Sequence, residues 1–383
     1  MYRLATPQDR AFLCWAEQQA FLCSAQDANR YIDTVGTESF RVLEQSGRPV
    51  GALVILPQAQ WWLGRKVPMT GIASVSVLPE ARRQGNASAL MRATLRELYE
   101  SRQPLSVLYS AADSLYRAMG YGEGGTYGLW RVPIPQIGIA DAPAVQSVPL
   151  EVERLRPLQQ RYARYHSGHL DRHPSIWAAI AAPDEDRLAS SAYTVGPPDA
   201  PEGYVVCHPA TEPSRLCVLD WAIATAAAGR ALWSFFGQMG TQIDEVRWRG
   251  GVVNPMAMLL PEGTASLENV QYWRLRLVDV AKALAARGYP AAIATSLSIE
   301  VIDPILPENQ GCWLLSVEGG RGDVTPGSKA QITLPIHHLA SLYAGLVSPY
   351  QLQQTGEIEG SKVGLAIAAA LFAGPSPWMP DFF

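Results

Sequence analysis

Lysine is nearly missing: four among 383 residues (Lys66, Lys282, Lys329 and Lys362). That leaves few side chains for Schiff-base or ammonium chemistry. The five cysteines, at positions 14, 23, 207, 217 and 312, are odd in number and include no C-x-x-C pair. They speak against a disulfide framework or a zinc site and for small buried side chains in a reducing compartment. No apolar run is long enough for a bilayer: the longest, Val363 to Gly374, has 12 residues, where a spanning helix needs about 20. The opening residues Met1-Tyr2-Arg3-Leu4-Ala5-Thr6-Pro7 lack the apolar stretch of a secretory signal. The expectation is a soluble, cytoplasmic chain with no membrane span. Neither sign of charge dominates, since 31 basic and 35 acidic residues leave a net −4, which argues against a general nucleic-acid binder.

What is present suits globular domains. Apolar residues make up 48% and charged residues 17%, enough for real cores and without a disorder signature. The length suggests two or three domains. Residues 1–140 carry 14 basic and 11 acidic groups, and residues 141–383 carry 17 and 24, so an anionic ligand fits the first part better than the rest. A Pro-rich stretch, Val132 to Pro149, reads as a linker. Strand-like runs at Arg48 to Leu56, Ile72 to Leu78 and Ser106 to Ser110 alternate with an amphipathic helix at Ala87 to Ser101. The middle of the chain loosely repeats that order: strands near Tyr204 to Cys207 and Leu216 to Ile223, a helix at Ala226 to Met239, a strand at Glu245 to Arg249. A third part opens near Gln271, with a helix Val280 to Arg287 that ends at Gly288, three strand-like runs, and two closing helices. The fold class is α+β, with domains expected at 1–140, 141–270 and 271–383.

The most informative stretch follows the strand Val75-Ser76-Val77. Pro79 stops the ladder, and the turn Arg82-Arg83-Gln84-Gly85-Asn86-Ala87-Ser88 opens the helix. A short, basic, small-residue turn at a helix N-terminus offers free backbone N–H groups to a diphosphate, and Gly85 allows close approach. A solvated basic turn that merely caps the helix would use the same residues. Arg82-x-x-Gly85-x-Ala87 between such a strand and helix resembles the acetyl-CoA loop of GCN5-related N-acetyltransferases (GNATs). In that family the strand splays from its neighbour, and the pantetheine arm pairs with the exposed backbone, here Val75 and Val77.

Two further features carry chemistry. Asp113-Ser114-Leu115-Tyr116-Arg117-Ala118-Met119-Gly120 reads as a short helix with Asp113 as N-cap and Gly120 beyond its end. There Tyr116 would stand near the thioester sulfur, able to protonate a departing thiolate; packing is the other use of a tyrosine. The chain ends Trp378-Met379-Pro380-Asp381-Phe382-Phe383. Burying those aromatics would bury the terminal carboxylate and raise its pKa toward the range of a base, unless the carboxylate stays wet. Three other patterns carry less. His166-x-x-His169-x-x-x-His173 would put three imidazoles on one helical face. His337 and His338 are adjacent and should point apart. Trp61-Trp62 can line a mouth for a cationic amine or simply pack. No metal is expected.

Together, Val75 to Gly85, the Tyr116 segment ending Met119-Gly120-Tyr121-Gly122, Arg276-Leu277-Val278-Asp279-Val280 with Ala283-Leu284, and the aromatic terminus resemble the Eis (enhanced intracellular survival) family across the whole chain. The resemblance implies tandem GNAT-like domains with splayed mixed sheets, then a sterol-carrier-protein-like domain. It implies a hexameric acetyl-CoA:amine N-acetyltransferase. Tyr116 would be its general acid and the Phe383 carboxylate its general base. Acetyl-CoA contacts would fall on Val75, Ser76, Val77, Arg83, Gln84, Gly85, Asn86, Ala87, Ser88, Ala111 and Ala112. The central part has only Thr225-Ala226-Ala227-Ala228-Gly229-Arg230 after its strand and is expected to bind no CoA. The acid excess beyond residue 140 would suit a polycationic amine such as an aminoglycoside, or a lysine side chain. A non-catalytic carrier of CoA or lipid is the alternative.

Overall fold

The computed structural model describes residues 1–140, 142–181, 189–211 and 214–383. Contacts divide the chain into two compact units: residues 1–125 with 272–375 and residue 383, and residues 126–271 with 376–382.

The chain begins β1 (Tyr2–Leu4), α1 (Arg10–Phe21), α2 (Ala25–Val35), β2 (Phe40–Gln45), β3 (Arg48–Trp62), β4 (Arg65–Val77), α3 (Asn86–Glu100), β5 (Leu105–Tyr109), α4 (Asp113–Ala118) and β6 (Gly122–Pro133). Nothing in the sequence reading anticipates α1 and α2. Ser24 caps α2 by accepting from the Asp27 N–H, and α1 buries Leu13, Ala16 and Glu17 at helical spacing. Strands β3 and β4 run much further than the expected Leu56 and Ile72 limits. They close in a two-residue hairpin in which Leu63 and Gly64 both have left-handed φ, 45° and 79°. That turn favours Asn-Gly, so a leucine in its first position hides the signal.

Next come β7 (Val145–Val148), α5 (Val152–Ala163), β8 (Leu170–Asp171), α6 (Pro174–Ala181), β9 (Ser191–Val195), β10 (Gly203–Thr211), β11 (Ser214–Ile223), α7 (Ala226–Gly237), β12 (Glu245–Gly250), α8 (Pro255–Met258) and β13 (Ser266–Leu277). The expected linker is therefore not all linker: β7 lies inside it and pairs with β9. Its alternation spans only four residues between prolines, too few to read from sequence. The chain closes with α9 (Val280–Ala286), β14 (Thr295–Ile302), β15 (Gly311–Glu318), β16 (Arg321–Pro326), β17 (Ile332–Pro335), α10 (Ile336–Ala344), α11 (Pro349–Gln354), β18 (Glu359–Gly360) and α12 (Lys362–Leu371).

In the first unit the sheet runs β1-β2-β3-β4-β5 and then the end of β13, antiparallel except between β4 and β5. Side-chain alternation splits β3 between two cores. Leu53 and Ile55 join Leu90, Met91 and Leu95 of α3, while Ala52, Val54 and Leu56 join Leu13 of α1 and Ile32 of α2. A second sheet, β16-β15-β14-β17-β18, belongs to the same unit. In the second unit, β6 (from Gly128), β12, β11, β10, β9 and β7 form the sheet, with β11 and β12 parallel. Gly288 is not the left-handed stop expected after α9. Its N–H donates to the Trp62 carbonyl, and a Cβ there would lie 2.3 Å from the Leu63 carbonyl oxygen.

Arg276 of β13 is wholly buried and makes 2.8 and 2.6 Å bonds to both oxygens of Asp303, which also accepts from the N–H groups of Ile305 and Leu306 and the Asn309 amide. Removing one partner strands a buried charge at a cost of about 3–5 kcal/mol. Asp303→Ala should therefore lower the melting temperature of the full chain sharply, and an unshifted thermal transition would contradict this.

Candidate functional site

Strand β4 pairs with β5 through only three residues, Met69 to Gly71 against Leu105 to Val107. Beyond them β4 runs on to Val77 with its β5-side edge unpaired among the described residues. A bulge bends it there: Ala52 faces Ser76 while Val54 faces Ala73, so Ser74 and Val75 oppose the single residue Leu53. Ser74 has φ 51°, unusual for a residue with a Cβ. The result is a fork whose β4 arm carries Val75, Ser76 and Val77.

The turn that follows is held from inside. The Arg82 guanidinium donates to the Val77 carbonyl at 3.0 Å, and the buried Asn86 amide donates to the Ala81 carbonyl at 2.9 Å. Arg83 and Gly85 both take left-handed φ, 59° and 81°, and no side chain caps α3. Among the described residues its first-turn N–H groups have no partner, at an exposed turn where a Cβ on Gly85 would meet nothing within 4 Å. Gly85 serves its dihedral, and the arrangement is a nest for an anion. Arg83, Gln84 and Gly85 are exposed, and Ala87 and Ser88 are half-buried.

On the α3 face, α4 carries Tyr116 into the core that contains Ile72 and Leu108. Ala112, not Asp113, is the N-cap. Asp113 is the first helical residue and pairs with Arg274 at 2.8 Å. Gly120, at φ 84°, ends the helix, and the Tyr121 N–H returns to the Tyr116 carbonyl at 3.0 Å. The Tyr116 ring meets Tyr121 edge-on at 6.0 Å. Its hydroxyl makes no hydrogen bond among the described residues, and burial pushes its pKa up to about 12, so the phenol keeps its proton at neutral pH. Ala111 and Ala112 lie in the exposed turn before it.

On the opposite face, Phe383 packs with the core of α1 and α2. Its ring meets Tyr109 edge-on at 6.2 Å, and a Cβ on Gly71 would lie 2.6 Å from it. The terminal residue thus reaches the point where β4 and β5 separate.

The second unit contains the same fork with other contents. Strands β11 and β12 pair in parallel through Arg215–Val218 and Glu245–Trp248. Beyond that, Trp378 stacks on Trp221 at 6.0 Å, a Cβ on Gly251 would lie 2.7 Å from its ring, and Arg249 donates to the Pro380 carbonyl. Buried Arg172 binds both oxygens of Asp220 and one of Asp381, and Tyr204 donates to Asp220. Helix α7 spends its first turn on its own cap: Thr225 accepts from the Ala228 N–H and donates to Glu202.

The histidine expectations are corrected. Helix α5 ends at Ala163, so His166, His169 and His173 share no helical face. His166 and His169 instead stack at 4.7 Å and pack on Trp378. His337 and His338 do not diverge: their rings lie 4.2 Å apart. His338 pairs with Glu357 at 2.8 Å, and burial, with His338 and Arg117 nearby, pushes His337 down to about 4. Donor atoms of His337, His338 and Glu357 converge within 4.8 Å, but Arg117 stands 3.5 Å from His338 and 4.0 Å from Glu357, where a cation would go. Trp62 is a core residue against Tyr343 and Trp273 and lines no mouth.

Sequence reasoning missed Glu17. It is buried on α1 and accepts from Ser74 at 3.1 Å. The signal available was a carboxylate four residues after Leu13, on the apolar stripe.

Comparisons with known proteins agree with this architecture. Residues 2–124 and 168–277 each match an acetyltransferase (GNAT) domain, and residues 280–380 match a sterol carrier protein domain. The chain is 38% identical to a structurally solved GCN5-related N-acetyltransferase from Anabaena variabilis, with TM-score 0.97 and both chains fully covered. It is 28% identical over 353 residues to an uncharacterized N-acetyltransferase of Streptomyces griseus, spanning 84% of this chain and 83% of that one. An Eis protein of Mycobacterium abscessus, 22% identical, has the same fold with TM-score 0.84 and full coverage of both chains. Among the described residues no helix is long and apolar enough to cross a membrane.

Gly71→Ala should push the terminal ring out of its seat. Carboxypeptidase should then release Phe383 faster than from the wild type, and equal rates would mean that Gly71 does not hold the ring.

Proposed function

The chain belongs to the GCN5-related N-acetyltransferases, as tandem GNAT domains followed by a sterol-carrier-like domain in the manner of the Eis family, and we propose how its first unit performs acetyl transfer. As an acyltransferase of this kind it uses acetyl-CoA as co-substrate. The free N–H groups of Arg83 to Ser88 suit its diphosphate. The unpaired edge of Val75, Ser76 and Val77 suits the pantetheine arm, and Ala111 and Ala112 flank the thioester end. The amine nitrogen attacks the thioester carbon, the C–N bond forms, and β4 N–H groups hold the oxyanion. The Phe383 carboxylate takes the proton lost by the amine. As the C–S bond breaks, Tyr116 gives its proton to the sulfur and is reprotonated from solvent.

The observation that carries this reading is the fork itself, with Phe383 reaching it from one face and a proton-bearing Tyr116 packed below the other. In the second unit the corresponding helix N-terminus is closed by Thr225 beside Glu202, which supports a role without CoA. The acceptor we propose is a polycationic small molecule such as an aminoglycoside, or a lysine side chain. A cytoplasmic homo-hexamer belongs to the same reading.

Thiol release from acetyl-CoA across a panel of amines tests the activity. Lipid extracted from the purified protein without any thiol release would favour a carrier instead. Tyr116→Phe should lower kcat about 100-fold, within the range of general acid catalysis, and leave the KM for acetyl-CoA in place. Residues added after Phe383 should abolish turnover, while an N-terminal tag should not; full activity in both altered proteins would remove these two groups from the mechanism.

A further inference from the structure

Glu17 is a charged group that the mechanism above does not use. It lies on α1 with 5% of its surface exposed. Its one hydrogen bond among the described residues comes from the Ser74 hydroxyl, at 3.1 Å, on the bulged arm of the fork and three residues beyond Gly71. No arginine or lysine among those residues pairs with it. The groups facing it are neutral or anionic: Ser74 on β4, Tyr31 on α2, whose hydroxyl also bonds Ser74, and Cys23 in the turn between α1 and α2. The terminal carboxylate follows a ring seated in the same core. A buried carboxylate with one hydroxyl partner is costly to keep ionised, and the arrangement lacks a cation. The reaction brings one to this spot, because an amine acceptor arrives as its ammonium.

We propose that Glu17 is the acceptor-binding residue, a carboxylate held by Ser74 on the open arm of β4 that pairs with the incoming ammonium; the ammonium loses its first proton to solvent to become the nucleophile, and Phe383 takes the second as the C–N bond forms. The proposal rests on the acetyl-transfer reading of the same site. Burial pushes the Glu17 pKa up to about 7, against the lesser, opposing effect of the Ser74 hydrogen bond. The residue is therefore neutral below about pH 7 and anionic above, and cation binding strengthens as pH rises through that value. The stability effect has the opposite direction. A carboxyl whose pKa is raised by folding stabilises the fold while protonated and loses that contribution as pH rises through its folded pKa.

The test uses the full chain, the amine of the panel with the fastest thiol release, and tetramethylammonium as a competitor that is charged at every pH and cannot be acetylated. In the wild type its Ki should fall as pH rises through about 7. Glu17→Gln keeps the shape and the Ser74 contact. It should raise acceptor KM roughly 10- to 100-fold, the size of a lost charge-assisted hydrogen bond. It should also make Ki independent of pH and leave the KM for acetyl-CoA unchanged. The variant should melt higher than the wild type at pH 8, and the difference should shrink as pH falls and vanish below about pH 4, under the ordinary carboxyl pKa. Normal thiol release with acceptor KM and the pH dependence of Ki unaltered in Glu17→Gln would overturn the proposal alone. Thiol release with no amine at all would remove the reaction and the proposal together. The wild-type Ki profile needs no variant, so a Gln protein that fails to fold still leaves the proposal exposed: a flat profile would sink it.

Discussion

Two parallel strands that part after three residue pairs impose the constraint from which the first unit's site follows. A strand inside a sheet carries one ladder on each edge, so an arm of β4 six residues long with one edge unpaired among the described residues is held in place by something else. The bulge at Ser74 supplies the bend, at a cost on the order of 1 kcal/mol for a non-glycine left-handed residue. The two cores hold the arm from its faces: Ile72 belongs to the layer under α3, Ala73 to the layer under α1 and α2. Because side chains alternate along the strand, a group reaching the fork from one layer cannot belong to the other. The two residues of the proposed mechanism thereby come from opposite faces, Tyr116 from the first layer and Phe383 from the second.

The last residues are fixed by a different kind of interaction. Arg172 is one cation between two buried carboxylates, bound through two oxygens to Asp220 and through one to Asp381. Burial raises the Asp381 carboxyl above its ordinary range, more than the neighbouring Arg172 lowers it. Such a cluster does little for net stability once desolvation is counted, but its geometry is strict. It specifies which residue of the tail stands at that point.

Much of this was legible in the sequence. The turn from Arg82 to Ser88 announces itself because its glycine, its flanking proline and the apolar stripe of α3 act locally, within one strand and one helix. The Tyr116 helix, with Gly120 as its stop, is local in the same way. Long-range features were hidden. Leu63 gives no turn signal, so the length of the β3–β4 hairpin was lost. The three residues shared by β4 and β5 depend on a bulge that arises from pairing with β3, which no window of sequence contains. The histidines illustrate the converse: a 3-4 spacing at 166, 169 and 173 suggests a helical face, but α5 stops at Ala163 and the imidazoles are spent on stacking. Glu17 could be seen as an oddity on an apolar stripe, while its partner, 57 positions away, could not.

Trp378 has the surroundings of a bound molecule. Trp221 lies along one face, His169 meets it edge-on, and its flanking N–H and carbonyl groups join Thr126 as an added strand would. It is in effect a tethered ligand, present at an effective concentration fixed by the covalent chain. Its seating is therefore a unimolecular equilibrium, whose constant is the affinity of the slot for the indole multiplied by that effective concentration.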